Sequence, residues 1–116
     1  MSRQEAEKRG RGAETLACWY LRLKGWRILA RRARVPGGEV DIVARRGKML
    51  AFVEVKARAN EEASAFSLDQ YRLRRVAVAA ERLAPRYMRA GDDVRIDAMF
   101  VLPRRIPLHL TNVWQG

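Results

Sequence analysis

One cysteine, one histidine and four lysines are all that the 116 residues contain of those types. A single thiol, Cys18, leaves no internal disulfide and no cysteine-based zinc site. Beside Ala17 and Trp19 on a predicted helix, it reads as a small core residue. His109 alone offers little for a histidine metal cage or a Ser-His-Asp triad, and in the apparent terminal strand "PLHLTNV" it reads as structural. No run approaches the roughly 20 apolar residues of a membrane span. The charged opening "MSRQEAEKRGRG" lacks the apolar stretch of a signal peptide. A cytoplasmic location with no membrane partner is therefore expected. No repeat, linker or low-complexity segment divides the chain, which reads as one domain over 1–116. Gly37-Gly38 lacks the spacing of a phosphate-binding loop and reads as a turn.

Acidic residues are scarce too, 13 against 24 basic ones, which leaves a net charge of +11. With four lysines, the remaining twenty basic residues are arginine. Arginine presents a planar fork to two phosphate oxygens, where lysine offers a point charge. The balance points to a polyanionic partner, nucleic acid before a membrane surface. A hydrophobic fraction of 48% excludes general disorder.

Periodicity then orders the elements as α-β-β-β-α-β-β. From about Gln4 to Lys24, the residues Ala13, Leu16, Ala17, Tyr20 and Leu23 recur at helical spacing, and Gly25 stops the run. "WRILARRARV" predicts a strand, with Trp26, Ile28 and Ala30 alternating against Arg27 and Arg31. After a turn at Pro36-Gly37-Gly38 come two strands, about Glu39 to Arg45 and Met49 to Arg58, joined tightly at Arg46-Gly47-Lys48. "NEEASAF" reads as a loop. From about Leu68 to Met88 a second helix carries Leu73, Val76, Ala77, Ala80, Leu83, Ala84 and Tyr87 as an apolar stripe. Arg75, Arg82, Arg86 and Arg89 share another face, either a solvated surface or a phosphate contact. Pro85 is expected to kink that helix or divide its last turn. "DVRIDAMFVL" and "LHLTNVW" complete the strands. Trp19, Trp26 and Trp114 lie in periodic apolar stretches and are expected in the core before any role in base stacking. A helix between strands points to at least one parallel crossover, so a mixed sheet flanked by helices is expected.

"GGEVDIVARRGKMLAFVEVKAR" sets Glu39, Asp41, Glu54 and Lys56 among apolar strand residues, where ionised groups cost several kcal/mol each unless paired or coordinated. A two-residue turn at Gly47-Lys48 places Asp41 opposite Glu54. A turn at Arg46-Gly47 slips the pair by one step but keeps the two on one face. Val40, Ile42 and Ala44 are expected together on the other face. Like charges facing each other are unfavourable. Either Lys56 or a nearby arginine neutralises them as a structural ion-pair network, or a hard cation sits between them. Mg²⁺ accepts carboxylate oxygens and keeps several waters for substrate to replace. A lysine beside it can orient or deprotonate the attacking water and stabilise charge at phosphorus. Helical spacing puts Glu14 beside Ala17, Cys18 and Leu21, either turned into such a site or exposed near Arg11.

The hairpin closely resembles the core of the YraN-like bacterial proteins and, more widely, the PD-(D/E)XK nucleases. These include archaeal Holliday junction resolvases and restriction endonucleases. "GRGAETLACWYLRLKGWRIL" is similar to the family's opening helix, whose pattern falls on Gly10, Glu14, Ala17 and Leu21. "VRIDAMFV" is similar to its late "R-F-D" strand, carried by Arg95, Ile96 and Asp97. The resemblance implies a restriction-endonuclease-like α/β domain with Asp41 and Glu54 as ligands of Mg²⁺ or Mn²⁺. It makes Lys56 the active-site lysine and Glu14 a further catalytic acid, and matches Glu39 to a family acid of unassigned role. Where the family tends to place lysine at the start of the second long helix, this chain has "DQYRLRR", with Arg72 nearest. Arginine there can bind phosphate but does not readily serve as a base. The expectation is a metal-dependent nuclease acting on DNA rather than RNA, including branched or damaged structures, gripped by Arg58, Arg72, Arg75, Arg82 and Arg86. By analogy with resolvases it would act as a homodimer. The alternative is a non-catalytic nucleic-acid-binding module on a nuclease fold.

Overall fold

In the computed structural model, which describes residues 3–60 and 67–116 and, within them, side chains from residue 10 onward, the first helix α1 runs Arg3–Leu23. It buries Ala13, Ala17, Cys18 and Leu21. Residues 13, 17 and 21 form one i, i+4 row, and small side chains at two of them let the helix sit close to the sheet. The expected stripe is therefore rotated. Leu16, Trp19 and Leu23 face outward, Trp19 at 59% and Leu23 at 83% exposure, so Trp19 is not a core residue. The Arg22 guanidinium lies 5.2 Å from the Trp19 ring centre and covers part of the indole.

Strands β1 (Arg27–Val35), β2 (Gly38–Arg46) and β3 (Met49–Ala57) form an antiparallel meander. Helix α2 (Gln70–Tyr87) then carries the chain over to β4 (Asp93–Val101), which pairs with β3 in parallel, and β5 (Leu108–Leu110) closes the far side. The sheet order is β1-β2-β3-β4-β5. One face, through Ile42, Ala44, Ala51, Val53 and Met99, packs on α1. The other, through Val43, Leu50 and Phe52, packs on Leu73, Val76 and Ala79 of α2. The mixed α/β architecture expected from the sequence is the one observed.

Four local expectations change. The alternation along β1 fails because the register shifts between Ile28 and Ala30 and Arg32 stands at a left-handed φ of 50°. Val40, expected beside Ile42, joins the α2 side of the core instead. Pro85 does not divide α2, which runs through it to Tyr87. Its missing N–H falls in the last turn, where Met88 N–H closes the end on the Ala84 carbonyl at 2.8 Å. The last strand is short because Asn112, at φ 55°, turns the chain. Beyond β5, the backbone N–H groups of Asn112 and Val113 donate instead to the Asp97 carboxylate and the Ile96 carbonyl. Of the "NEEASAF" loop, all but Asn60 lies outside the described residues.

β2 begins directly beneath α2. A Cβ on Gly38 would stand 2.9 Å from the backbone nitrogen of Ala79 and against the Arg75 carbonyl, so only glycine allows this approach. Among the described residues, no helix is long and apolar enough to cross a membrane.

Candidate functional site

β2 and β3 pair from Arg46↔Met49 to Ile42↔Val53, the register of the two-residue turn at Gly47-Lys48. The next step would set Asp41 across from Glu54, and there the strands part. Beyond it, residues 38–40 of β2 pair with β1, while residues 54–57 of β3 pair with β4. A sheet that forks leaves backbone donors without partners. The Asp41 carboxylate takes one of them, accepting from Val55 N–H at 2.7 Å. Asp41 and Glu54 are thus brought together at the fork.

Glu54 is 3% exposed. The Lys56 ammonium lies 3.3 Å from its Oε1 and the Arg72 Nε 3.7 Å. That oxygen is nevertheless buried without a hydrogen-bond donor among the described residues. The lysine is close enough to pair electrostatically but not aligned to donate. Burial, and then the neighbouring Glu54 carboxylate, push the Asp41 carboxyl up to about 7. The hydrogen bond from Val55 opposes this shift, while Glu14 adds to it.

Asp41 opens onto a cleft of about 450 Å³ that Glu14, Glu39, Arg11, Arg32, Arg34 and Arg72 also line. α1, β1, β2 and the start of α2 all contribute to it. Glu14 comes from α1 as expected but faces β1, its Oε1 2.8 Å from Arg32 Nε. Glu39 pairs with Arg75 at 3.3 Å, tying β2 to α2. The hydrogen bond from Arg75 holds the Glu39 carboxyl below its ordinary value, against a smaller effect of burial. Arg82 and Arg86 are exposed further along α2. Arg58 lies over the Phe100 ring at 5.6 Å. It lines a larger cleft of about 650 Å³ with Leu16, Leu102 and Ile106. Among the described residues no carboxylate lines that second cleft, whereas Glu14, Glu39 and Asp41 line the smaller one.

Among the described residues, no three acidic, histidine or cysteine side chains are grouped so as to hold a metal ion. The acids at the fork are a pair, with Glu14 turned toward Arg32. The pair still suits a hard cation, because Mg²⁺ binds through one or two carboxylates and retains water on its other positions. The Glu54 oxygen without a donor fits the same chemistry.

Sequence reasoning missed the place of Arg32 and the network around Asp97, which it named only as part of the late strand. Arg32 enters the cleft because its backbone leaves the strand alternation, and no periodic pattern announces that. Asp97, fully buried, accepts from Arg95 Nε at 2.9 Å and from Asn112 N–H at 2.9 Å, and lies 2.8 Å from His109 Nε2. His109 is thus the structural residue expected. Burial raises the Asp97 carboxyl, but the contacts with His109, Asn112 and Arg95 together outweigh it and hold the group below its ordinary value.

Residues 13–101 match the family described as "Uncharacterised protein family UPF0102". A UPF0102 protein of Sphingopyxis alaskensis is 59% identical over 115 residues, spanning 99% of both chains. One from Erythrobacter litoralis is 50% identical over 115 residues, again 99% of both. Among solved structures, the chain is similar to Hjc, a Holliday junction resolvase of Archaeoglobus fulgidus. The TM-score is 0.62 at 20% identity, over 84% of this chain and 72% of that one. At that identity the likeness establishes the fold alone. With half or more of its residues shared over nearly its full length, the chain belongs to the UPF0102, or YraN-like, family.

Proposed function

We propose that this protein is a divalent-metal-dependent nuclease that hydrolyses phosphodiester bonds in DNA. The observation that carries this reading is the fork. There a buried Glu54 oxygen without a donor adjoins Asp41 and Lys56, at the edge of a cleft walled by arginines. Asp41 and Glu54 would hold Mg²⁺ or Mn²⁺, which supplies Lewis acidity at the phosphate and a more acidic water. Lys56, fixed against Glu54, presents a positive charge to the phosphoryl oxygens as charge builds on them. Arg72 faces the cleft directly. Arg82 lies about 15 Å further along α2 at 1.5 Å per residue, so Arg72, Arg75, Arg82 and Arg86 form a track for a backbone of regular charge spacing. Arg58, two residues past Lys56, extends that basic margin. Glu39 positions Arg75 rather than the cation. The fold shared with a resolvase supports branched DNA as substrate and, by the same analogy, a homodimer acting in the cytoplasm.

The test is cleavage of duplex, single-stranded and four-way DNA with Mg²⁺, with Mn²⁺ and with chelator. Asp41→Asn and Glu54→Gln keep size while removing ligand charge, so cleavage should fall by orders of magnitude while binding persists or tightens. One observation favours a second reading. Glu14, Glu39 and Glu54 each already have a basic partner, as they would in a non-catalytic nucleic-acid-binding module. A wild-type protein that binds all three DNAs and cuts none with either metal would establish that reading.

A further inference from the structure

Arg32 combines three properties that the proposed chemistry leaves unused. Its backbone, at φ 50°, departs from the strand conformation its neighbours keep and delivers the side chain into the acidic cleft. Such a departure costs free energy and persists only where the surroundings hold it. Its guanidinium meets Glu14 through Nε alone, 2.8 Å from Oε1, which leaves both terminal amino groups out of that pairing. Its side chain is 44% exposed, whereas that of Glu14 is 14% exposed. A single-point pair with one partner this open to solvent is weak. A phosphate engaging the guanidinium through two oxygens is the stronger partner.

We propose that Arg32 is a positioning residue that exchanges Glu14 for a substrate phosphate, so that nucleic acid completes the cation site. In the free protein Arg32 pairs with Glu14, which leaves Asp41 and Glu54 to the cation. When a backbone phosphate takes the guanidinium, Glu14 is released into the cleft it shares with Asp41 and becomes the third carboxylate. Arg34 and Arg72, on the walls of the same cleft, receive the flanking phosphates. Cation and nucleic acid then bind cooperatively, and by linkage each raises the affinity for the other by the same factor. The inference rests on the nuclease reading, and its test does not depend on turnover.

The measurement is Mn²⁺ affinity, read from paramagnetic broadening of backbone amides of residues 39–56, with and without a phosphorothioate duplex that resists cleavage. Wild type should bind Mn²⁺ about tenfold more tightly with the duplex, within the roughly 5–150-fold span of site-to-site couplings. Arg32→Gln should bring most of that gain to the free protein. Arg32→Gly, suited to the left-handed backbone, should do the same if glutamine disturbs folding. Removing a positive charge also attracts a cation by itself, so the decisive comparison is in a Glu14→Gln background. There the gain from Arg32→Gln should disappear. If it persists undiminished, Arg32 acts only through its charge and the exchange is wrong. Mn²⁺ binding indifferent both to the duplex and to Arg32→Gln overturns it as well. No Mn²⁺ binding under any condition overturns the metal reading itself, a different result from either of these.

Discussion

Asp41 has two tasks that pull on its charge in opposite directions. As a carboxylate it closes the open end of the β2–β3 ladder on Val55 N–H, yet burial and the adjacent Glu54 favour its protonated form. In metal-free protein its proton is held more tightly folded, at about 7, than unfolded, at about 3.9. A raised value contributes stability that is complete below about pH 3.9 and is lost as pH rises through about 7. Wild type in chelator should therefore lose melting temperature between pH 5 and pH 8, while Asp41→Asn, which keeps an acceptor for Val55, should not. At pH 8 the variant should melt level with wild type or above it. A variant that instead loses roughly 3–5 kcal/mol would show that Asp41 anchors a buried ion pair. The proximity of Asp41 and Glu54 is legible in the sequence, because a two-residue turn and a period of two leave little freedom. The partners of Glu14 and Glu39 are not, since they come from residues 18 and 36 positions away.

At the level of elements, the helices and every strand but β5 are legible almost to their ends, and the errors fall where backbone regularity breaks. Leu16, Trp19 and Leu23 recur at helical spacing as convincingly as Ala13, Ala17 and Leu21. Only the closeness of the sheet, set by small side chains, decides which row is buried. The bulge in β1 and the left-handed Arg32 leave no trace in hydrophobic alternation. Gly38 reads in the sequence as part of a turn, but its reason is the helix above it. Gly38→Ala should lower stability by roughly 1–3 kcal/mol, the usual scale of overpacking, because the atoms it meets are backbone and cannot rotate away. Thermal or urea unfolding measures this. An unchanged midpoint would mean that β2 and α2 can separate without cost, and the fork would then be a loose feature.

Over the whole molecule, a charge of +11 invites polyanions, but the structure divides the arginines into engaged and available ones. Arg75 is held by Glu39, and Arg45 is buried against Asp92 at 2.8 Å. Arg82 and Arg86 are exposed on α2. If α2 lies along a DNA backbone, changing both to glutamine should flatten the plot of log affinity against log salt by about two units, near 0.9 for each phosphate no longer neutralised. Fluorescence anisotropy of a labelled duplex across a salt series reads this directly. An unchanged slope would assign both to a solvated surface. Composition alone cannot make this division, because it depends on which carboxylate each guanidinium meets.

The outer margin of the sheet carries a consequence of its own. β1 lies at the edge and bears Arg27, Arg31, Arg32 and Arg34, all exposed. An uncovered edge is ordinarily a template on which another chain can continue the sheet. Here a second copy laid along β1 would bring four arginines against four more, so the edge refuses its own kind. Self-association, where it occurs, is steered to other surfaces of the molecule, and the refusal costs nothing in solubility. The charge that keeps identical chains apart is the same charge that leaves this margin open to a phosphate backbone.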